Sequence, residues 1–340
     1  MSGRRWLQAH WHERRLAASL WLLVPFSVLF AGLSALRRLA YRCHWLPSFR
    51  LPVPVVVVGN LIVGGAGKTP LTLWLAQSLR AAGWHPAIIS RGYRAAQRGP
   101  LAVTRDAAPE EVGDEPLLLA RRSGVPVWIG RDRVAAARAL LARHPEVNLL
   151  LCDDGLQHYR LQRDVEIAVF DGRGAGNGWR LPAGPLREPL GRVRRAHILV
   201  FNGAPDLRVL KTAPELPGFA MTLVPGEFYR LGQPEQHCPA ARFAGRKLHA
   251  VAGIADPDRF FRTLTQLGLS FTPHPFADHH AYGTGELAFP EGEVILMTEK
   301  DGVKCARLNL GEAWVLPVDA HLPPELIDVL LEMLNGRKAP

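Results

Sequence analysis

The stretch Val55–Pro70, VVVVGNLIVGGAGKTP, decides the fold. Four consecutive valines read as a fully buried strand, and they run into Gly64, Gly65, Ala66 and Gly67 before Lys68, Thr69 and a helical stretch, PLTLWLAQSLRAAGW. Glycines at such a turn let successive backbone N–H groups converge on phosphate oxygens. Lys68 can then reach the β and γ phosphates, and the Thr69 hydroxyl can ligate Mg²⁺. The usual spacing G-x-x-x-x-G-K-[ST] places its first glycine where this chain has Ile62, so the match is to the GGAGKT core. Pro70 fits the first turn of a helix, because the N–H it lacks has no intrahelical partner there.

Working outward, the same rhythm repeats. HPAIISRGY, VPVWIG (Val125 to Gly130), VNLLLCDD (Val147 to Asp154), VEIAVFD (Val165 to Asp171) and AHILVFN (Ala196 to Asn202) are short apolar runs alternating with helical segments. This pattern predicts a doubly wound α/β domain, mostly parallel and covered on both faces. The carboxylates that close the third of these runs, Asp153 and Asp154, stand where a phosphate-loop protein needs an acid for the Mg²⁺ shell; an ordinary acidic turn is the plainer reading. From Asp171 to Arg195 the chain is too rich in Gly, Pro and Arg for regular structure. A loop of that length at a strand end reads as a binding segment or lid.

After Pro205 the rhythm weakens, and AMTLVPGEFYRL reads as extended chain. A second, smaller α/β unit begins with KLHAVAGIADPDRFFRTLTQLGL and continues through VILMTEKDGVKC and WVLPVD to a last helix, PPELIDVLLEMLNG. The expected division is therefore residues 1–45, 46–225 and 226–340. The first part carries an uncharged run, LAASLWLLVPFSVLFAGLSAL (Leu16 to Leu36), between Arg14-Arg15 and Arg37-Arg38. As a helix it reaches roughly 30 Å, about one hydrocarbon thickness. Pro25, Gly32 and three serines dilute it, and the arginines on both flanks cast no clear orientation vote. Spanning the bilayer and lying on it stay open, and a cleaved signal peptide fits poorly ahead of a domain that needs cytosolic ATP.

Composition narrows the class. With 48% hydrophobic and 21% charged residues the chain has the makings of a packed globular protein. A formal charge of +10 implies an anionic partner: acidic lipid, phosphorylated metabolite or nucleic acid. No nucleic-acid module accompanies the charge, so that class is set aside. The four cysteines, Cys43, Cys152, Cys238 and Cys305, have no metal-ligand spacing and read as thiols of a reducing compartment. A phosphate-loop switch or delivery ATPase is the rival class; a guanine reader is disfavoured, since NGAPD and TEKD do not match N-K-x-D.

Taken together, GGAGKTP, SRGY (Ser90 to Tyr93), VGDEP (Val112 to Pro116), DDGLQH, PAGPLREP, ADHH and MTEKDGVKC resemble the tetraacyldisaccharide 4'-kinase family, the lipid A 4'-kinases. Several of these, DDGLQH and PLREP above all, are not general phosphate-loop features, and in order they cover most of the chain. The resemblance implies an inner-membrane enzyme, facing the cytoplasm, that uses MgATP to phosphorylate the 4'-hydroxyl of a tetraacylated disaccharide 1-phosphate. Its partners are then that acylated lipid and the membrane surface. It also implies Asp114 as the base that accepts the hydroxyl proton with His279 as its partner, Lys68 at the phosphates, Arg187 as a phosphate contact, and Glu188 with Thr69, Asp153 and Asp154 around Mg²⁺. Read without the resemblance, Asp114 is equally a helix cap, and His280 competes with His279. Asp114 and His279 are far apart in sequence, so the assignment requires a cleft between the two domains as the active site. The sequence leaves the oligomeric state open.

Overall fold

A computed structural model describes residues 7, 10–13, 16–93, 95–96 and 99–336; Arg14 and Arg15, one flank of the apolar run, lie outside the described residues. The first-sheet strands, in chain order, are β1 (Val55–Gly59), β2 (Pro86–Ser90), β3 (Leu101–Ala102), β4 (Val127–Ile129), β5 (Leu149–Asp153), β6 (Val165–Asp171), β7 (Ile198–Asn202) and β8 (Gly218–Pro225). The second sheet takes β9 (Phe228–Arg230), β10 (Gln233–Cys238), β11 (Leu248–Ala252), β12 (Thr272–Pro275), β13 (Val294–Thr298) and β14 (Glu312–Leu316), after which β15 (Val318–His321) follows. The large sheet has the order β15-β8-β7-β6-β1-β5-β2-β4-β3 and the smaller one β10-β9-β14-β13-β11-β12. The strand ahead of the phosphate loop is thus central, paired in parallel with β5 on one side and β6 on the other.

Both sheets are covered on both faces, as expected for runs that are buried throughout. Val56 and Val58 point into one core with Leu71, Leu75 and Leu79 of the helix Lys68–Ala81, while Val55 and Val57 point into another with Val134 and Leu140 of the helix Arg133–Arg143. The second sheet has its own cores, one around Phe243, Phe260 and Trp314 and one around Tyr282, Met297 and Val315.

Two sequence expectations need correction. The tail from Val318 onward does not stay with the second unit: β15 pairs antiparallel with β8 at the edge of the large sheet, and Leu326, Leu330 and Leu334 of the last helix pack into the first core. The single run WVLPVD is split at Pro317, which has no N–H to continue a ladder, so its two halves pair in different sheets. The apolar run also does not form one α-helix from Leu16. A 3₁₀ turn, Ala18–Leu23, leads into an α-helix, Val24–Arg42, with Pro25 in its first turn where a missing N–H costs nothing.

That helical stretch, Ala18–Arg42, is long and apolar enough to cross a membrane. Trp21, Leu22, Phe26, Val28, Leu29, Leu33 and Leu36 are exposed along it, while Leu20 and Ser27 are buried. Ser27 Oγ donates to Arg180 O (3.0 Å) and accepts from Ala183 N (2.8 Å), so the helix is docked on the Gly/Pro/Arg-rich loop by a buried hydroxyl.

Candidate active site

At the carboxyl ends of the central strands a cleft of about 1720 Å³ opens between the two sheets. Gly67, with φ at +91°, turns the chain into the helix Lys68–Ala81, and a Cβ there would fall 2.6 Å from Asn202 Nδ2. Only glycine fits that turn. Three side chains from elsewhere brace the loop: Asn60 donates to Gly64 O (3.1 Å), Arg173 to Gly65 O (3.1 Å) and Asn202 to Ala66 O (3.2 Å). Asn202 in turn accepts from Arg259 of the second sheet's helix Pro257–Gln266 (3.0 Å). None of these braces was singled out from sequence, because an isolated Asn or Arg carries no pattern that names its partner.

Lys68 Nζ lies 3.3 Å from Asn60 Oδ1 and 3.5 Å from Asp154 Oδ1, and Arg187 Nη1 lies 3.1 Å from both oxygens of Asp154. Three of the residues expected at the site therefore meet in one cluster. Asp154 takes a left-handed backbone, φ +47°, with its carbonyl and that of Asp153 held by Arg133 (2.8 and 2.9 Å). Burial opposes its charge, but Lys68 and Arg187 outweigh burial and hold the carboxyl well below the usual range. Asp153, 1% exposed, stands beside Val58 in register and accepts from Thr72 Oγ1 (3.3 Å). Burial, with the charges of Glu115 and Asp154 and against the pull of Lys68, pushes its carboxyl up to about 7.

Thr69, Asp153, Asp154 and Glu188 all line the cleft. Among the described residues no group of three or more His, Cys, Asp or Glu is arranged to enclose a metal. The donor set nevertheless fits Mg²⁺, an ion that usually takes one or two carboxylates and completes its shell with water and nucleotide phosphate. A fully buried carboxylate on the cleft wall, beside a second carboxylate and behind a glycine turn with no room for a Cβ, is the local evidence for that fit. Glu188, 2% exposed, is more heavily engaged: it accepts from Tyr159 Oη and from Gln157 Nε2 (3.3 Å), and Arg38 of the N-terminal helix lies 3.5 Å away. The Tyr159 hydroxyl is pushed up to about 12 by burial and by that carboxylate.

Across the cleft, Asp114 Oδ2 and His279 Nδ1 are 2.9 Å apart, though 165 positions separate them in sequence. Asp114 opens the helix Asp114–Ser123 behind Gly113, whose φ of +89° and ψ of 150° suit glycine alone; a Cβ there would lie 2.8 Å from Tyr93 O. His279 also has a positive φ, 59°, and its N–H reaches Gly253 O (3.3 Å). Asp301, wholly buried, secures that corner by accepting from Gly253 N (3.0 Å), Tyr282 Oη (2.8 Å) and Thr298 Oγ1 (2.6 Å). The adjacent histidines face different partners: His280 faces Glu286 (3.0 Å) and packs on Phe276, while His279 faces Asp114 and the Tyr93 ring. Burial alone would raise the Asp114 carboxyl; the His279 hydrogen bond and the Lys300 charge prevail and hold it at about 2.

The arrangement brings a phosphate cradle and an acid–imidazole pair into one cleft, the chemistry of phosphoryl transfer to a hydroxyl. Comparison with known proteins agrees. The family described as Tetraacyldisaccharide-1-P 4'-kinase matches residues 19–335. A tetraacyldisaccharide 4'-kinase of Dechloromonas aromatica is 58% identical over 336 residues, covering 98% of each chain, and one of Azoarcus sp. is 49% identical over 332 residues, covering 98% of this chain and 96% of the relative. The crystal structure of the LpxK protein of Aquifex aeolicus in complex with ATP superposes with a TM-score of 0.78 at 30% identity, covering 93% of this chain and 99% of that one. With a match that spans nearly the whole length and a shared fold around the cleft, the chain belongs to the tetraacyldisaccharide-1-P 4'-kinase family.

Proposed function

We propose that this chain transfers the γ-phosphate of ATP to the 4'-hydroxyl of tetraacyldisaccharide 1-phosphate, working at the cytoplasmic face of a bacterial inner membrane. The observation that carries the reading is one cleft lined by the glycine turn, by His279 with Asp114 bonded behind it, and by the inner side of the apolar N-terminal helix, in a chain of this family. Phe30, Leu33, Arg37 and Arg38 of that helix line the same cleft as Lys68 and His279, so an acylated acceptor can enter from the lipid side and meet the phosphate donor inside.

Each side chain then has a task. Backbone N–H groups from Gly64 to Lys68 and the Lys68 ammonium hold the phosphate chain and offset charge on the moving group; Arg187 adds a second cation. Thr69, Asp153 and Asp154 would hold Mg²⁺, with Glu188 as a further contributor once it exchanges one of its present partners. When bound, Mg²⁺ supplies charge neutralisation across the donor phosphates. Asp114, ionised and aimed by His279, accepts the proton of the acceptor hydroxyl as the new P–O bond forms and the bond from the γ-phosphorus to the bridging oxygen breaks, releasing ADP. The second sheet acts as a domain dividing near residue 225, and its approach to the first completes the site.

The test is transfer of labelled γ-phosphate from ATP to tetraacyldisaccharide 1-phosphate in detergent micelles, comparing the wild type with Lys68→Ala. Product at the 4' position that disappears in the variant is expected. ATP hydrolysis by the wild type without lipid phosphorylation would instead favour a switch ATPase.

A further inference from the structure

The segment MTEKDGVKC contributes a residue that the roles above leave without a task. Lys300 sits in the first turn of the helix Glu299–Cys305 on the second sheet, with a side chain only 17% exposed. Its Nζ is 2.8 Å from Glu115 Oε1, 3.5 Å from Asp278 Oδ1 and 3.9 Å from Asp114 Oδ2. It is also 3.5 Å from His279 Nε2, the imidazole nitrogen turned away from Asp114. One ammonium thus joins the helix that carries Asp114 to the loop that carries His279.

The chemistry of an ammonium limits what this contact can be. Lysine has donors and no acceptor, while a neutral imidazole has one N–H and one bare nitrogen. Nε2 meets Lys300 Nζ at 3.5 Å, within hydrogen-bond reach, and Asp278 Oδ2 at 3.7 Å, outside it, so Nε2 presents its lone pair to the ammonium and the proton is left on Nδ1, pointing at Asp114. With its proton on Nδ1 the imidazole donates to Asp114, and the carboxylate is the proton acceptor of the pair. We infer that Lys300 is a positioning residue for phosphoryl transfer, fixing the Nδ1–H tautomer of His279 and through it the orientation and charge of Asp114. The inference rests on Asp114 and His279 acting as the acid–base pair.

The surroundings support this reading. Glu115, Asp114 and Asp278 raise the proton affinity of the ammonium, against its burial, so it is cationic throughout the working range. Arg122, at the far end of the helix that Asp114 opens, pairs with Glu299, the residue before Lys300, so neutralising Lys300 leaves a contact between the same two helices in place.

The experiment uses the full chain in micelles, labelled with ¹⁵N-histidine, with the His279 signals assigned by their loss in His279→Gln. In the wild type the imidazole shifts should report Nδ1–H and a bare Nε2. In Lys300→Met, with Lys300→Ala as a second variant should the first fail to fold, the tautomers should mix. There kcat should fall about tenfold or more while KM for ATP holds, and Lys300→Arg should recover both readouts. A wild-type proton on Nε2, a loss of kcat with an unchanged tautomer, or a neutral variant with unchanged kcat would each overturn the inference. Asp114→Asn is run alongside: if it transfers phosphate at the wild-type rate, the acid–base reading falls and takes this inference with it. Loss of activity in Asp114→Asn with an unmoved tautomer in Lys300→Met sinks the role of Lys300 alone.

Discussion

The phosphate loop and the Asp114–His279 pair are two walls of one cleft, built in opposite ways. The loop is local: strand, glycine turn, Lys68 and Thr69 fall within sixteen consecutive residues, Val55–Pro70, and the Lys68 charge is balanced by Asp154, which also pairs with Arg187. The pair is assembled from two sheets, with each member held in a backbone conformation that its neighbours impose, Gly113 behind Asp114 and a positive φ at His279 itself. A local device tolerates movement between the sheets; an assembled one does not. Mutations in the first wall should therefore act on phosphate contacts directly, and mutations in the second should act through geometry.

The largest effect is expected from Lys68→Ala, which removes the cation at the donor phosphates and should lower kcat by about 10³-fold while the fold persists, as read by phosphate transfer beside a thermal melt. Asp114→Asn should follow, at about 10²-fold in kcat with little change in KM for ATP, since the carboxylate acts on the acceptor and not on the nucleotide. Equal losses in kcat and in ATP affinity from Asp114→Asn would erase the contrast between the two walls.

Gly113→Ala probes assembly without touching a charged group. The φ of +89° and the approach to Tyr93 O make it costly by about 1–3 kcal/mol, and the activity lost should exceed that of a substitution at Gly83, where φ is a similar +86° but a Cβ meets nothing. Circular dichroism melts with kinetics on the same samples check this.

The pH dependence of stability sharpens the same wall. The Asp114 carboxyl is held at about 2 in the folded chain, below its unfolded value, so its stabilisation is present in full above the unfolded value of about 3.9 and is lost as pH falls toward 2. Urea unfolding should show the wild type ahead of Asp114→Asn by about 2 kcal/mol near pH 6, with the gap closing below pH 4. A gap that does not change with pH would mean that packing, not the His279 hydrogen bond, sets the difference.

The smallest effect belongs to the docking of the N-terminal helix. Ser27→Ala leaves Ala183 N without its acceptor and should cost about 1 kcal/mol locally. Hydrogen exchange should quicken at Ala183 and in the first turns of the helix Val24–Arg42, with transfer to lipid slowed only slightly.

The residue pattern by itself determined the large, mostly parallel sheet, the glycine turn with Lys68 and Thr69, and the acid pair at the end of β5, because each is written in neighbouring positions: period, turn chemistry and strand ends are local properties of a chain. The functional assignment of Asp114, His279, Arg187 and Glu188 came only through resemblance, since a lone acid or imidazole has no spacing that reveals its partner. Tertiary structure decided the rest. It turned His279 and not His280 toward Asp114, and brought Asn202, Arg259 and Arg173 to the phosphate loop. It returned the chain to the first sheet after Pro317 and set Lys300 beside both Asp114 and His279. Hydrogen bonds and charges act over a few ångströms of space regardless of sequence separation, so what they join becomes visible only once the sheets are packed.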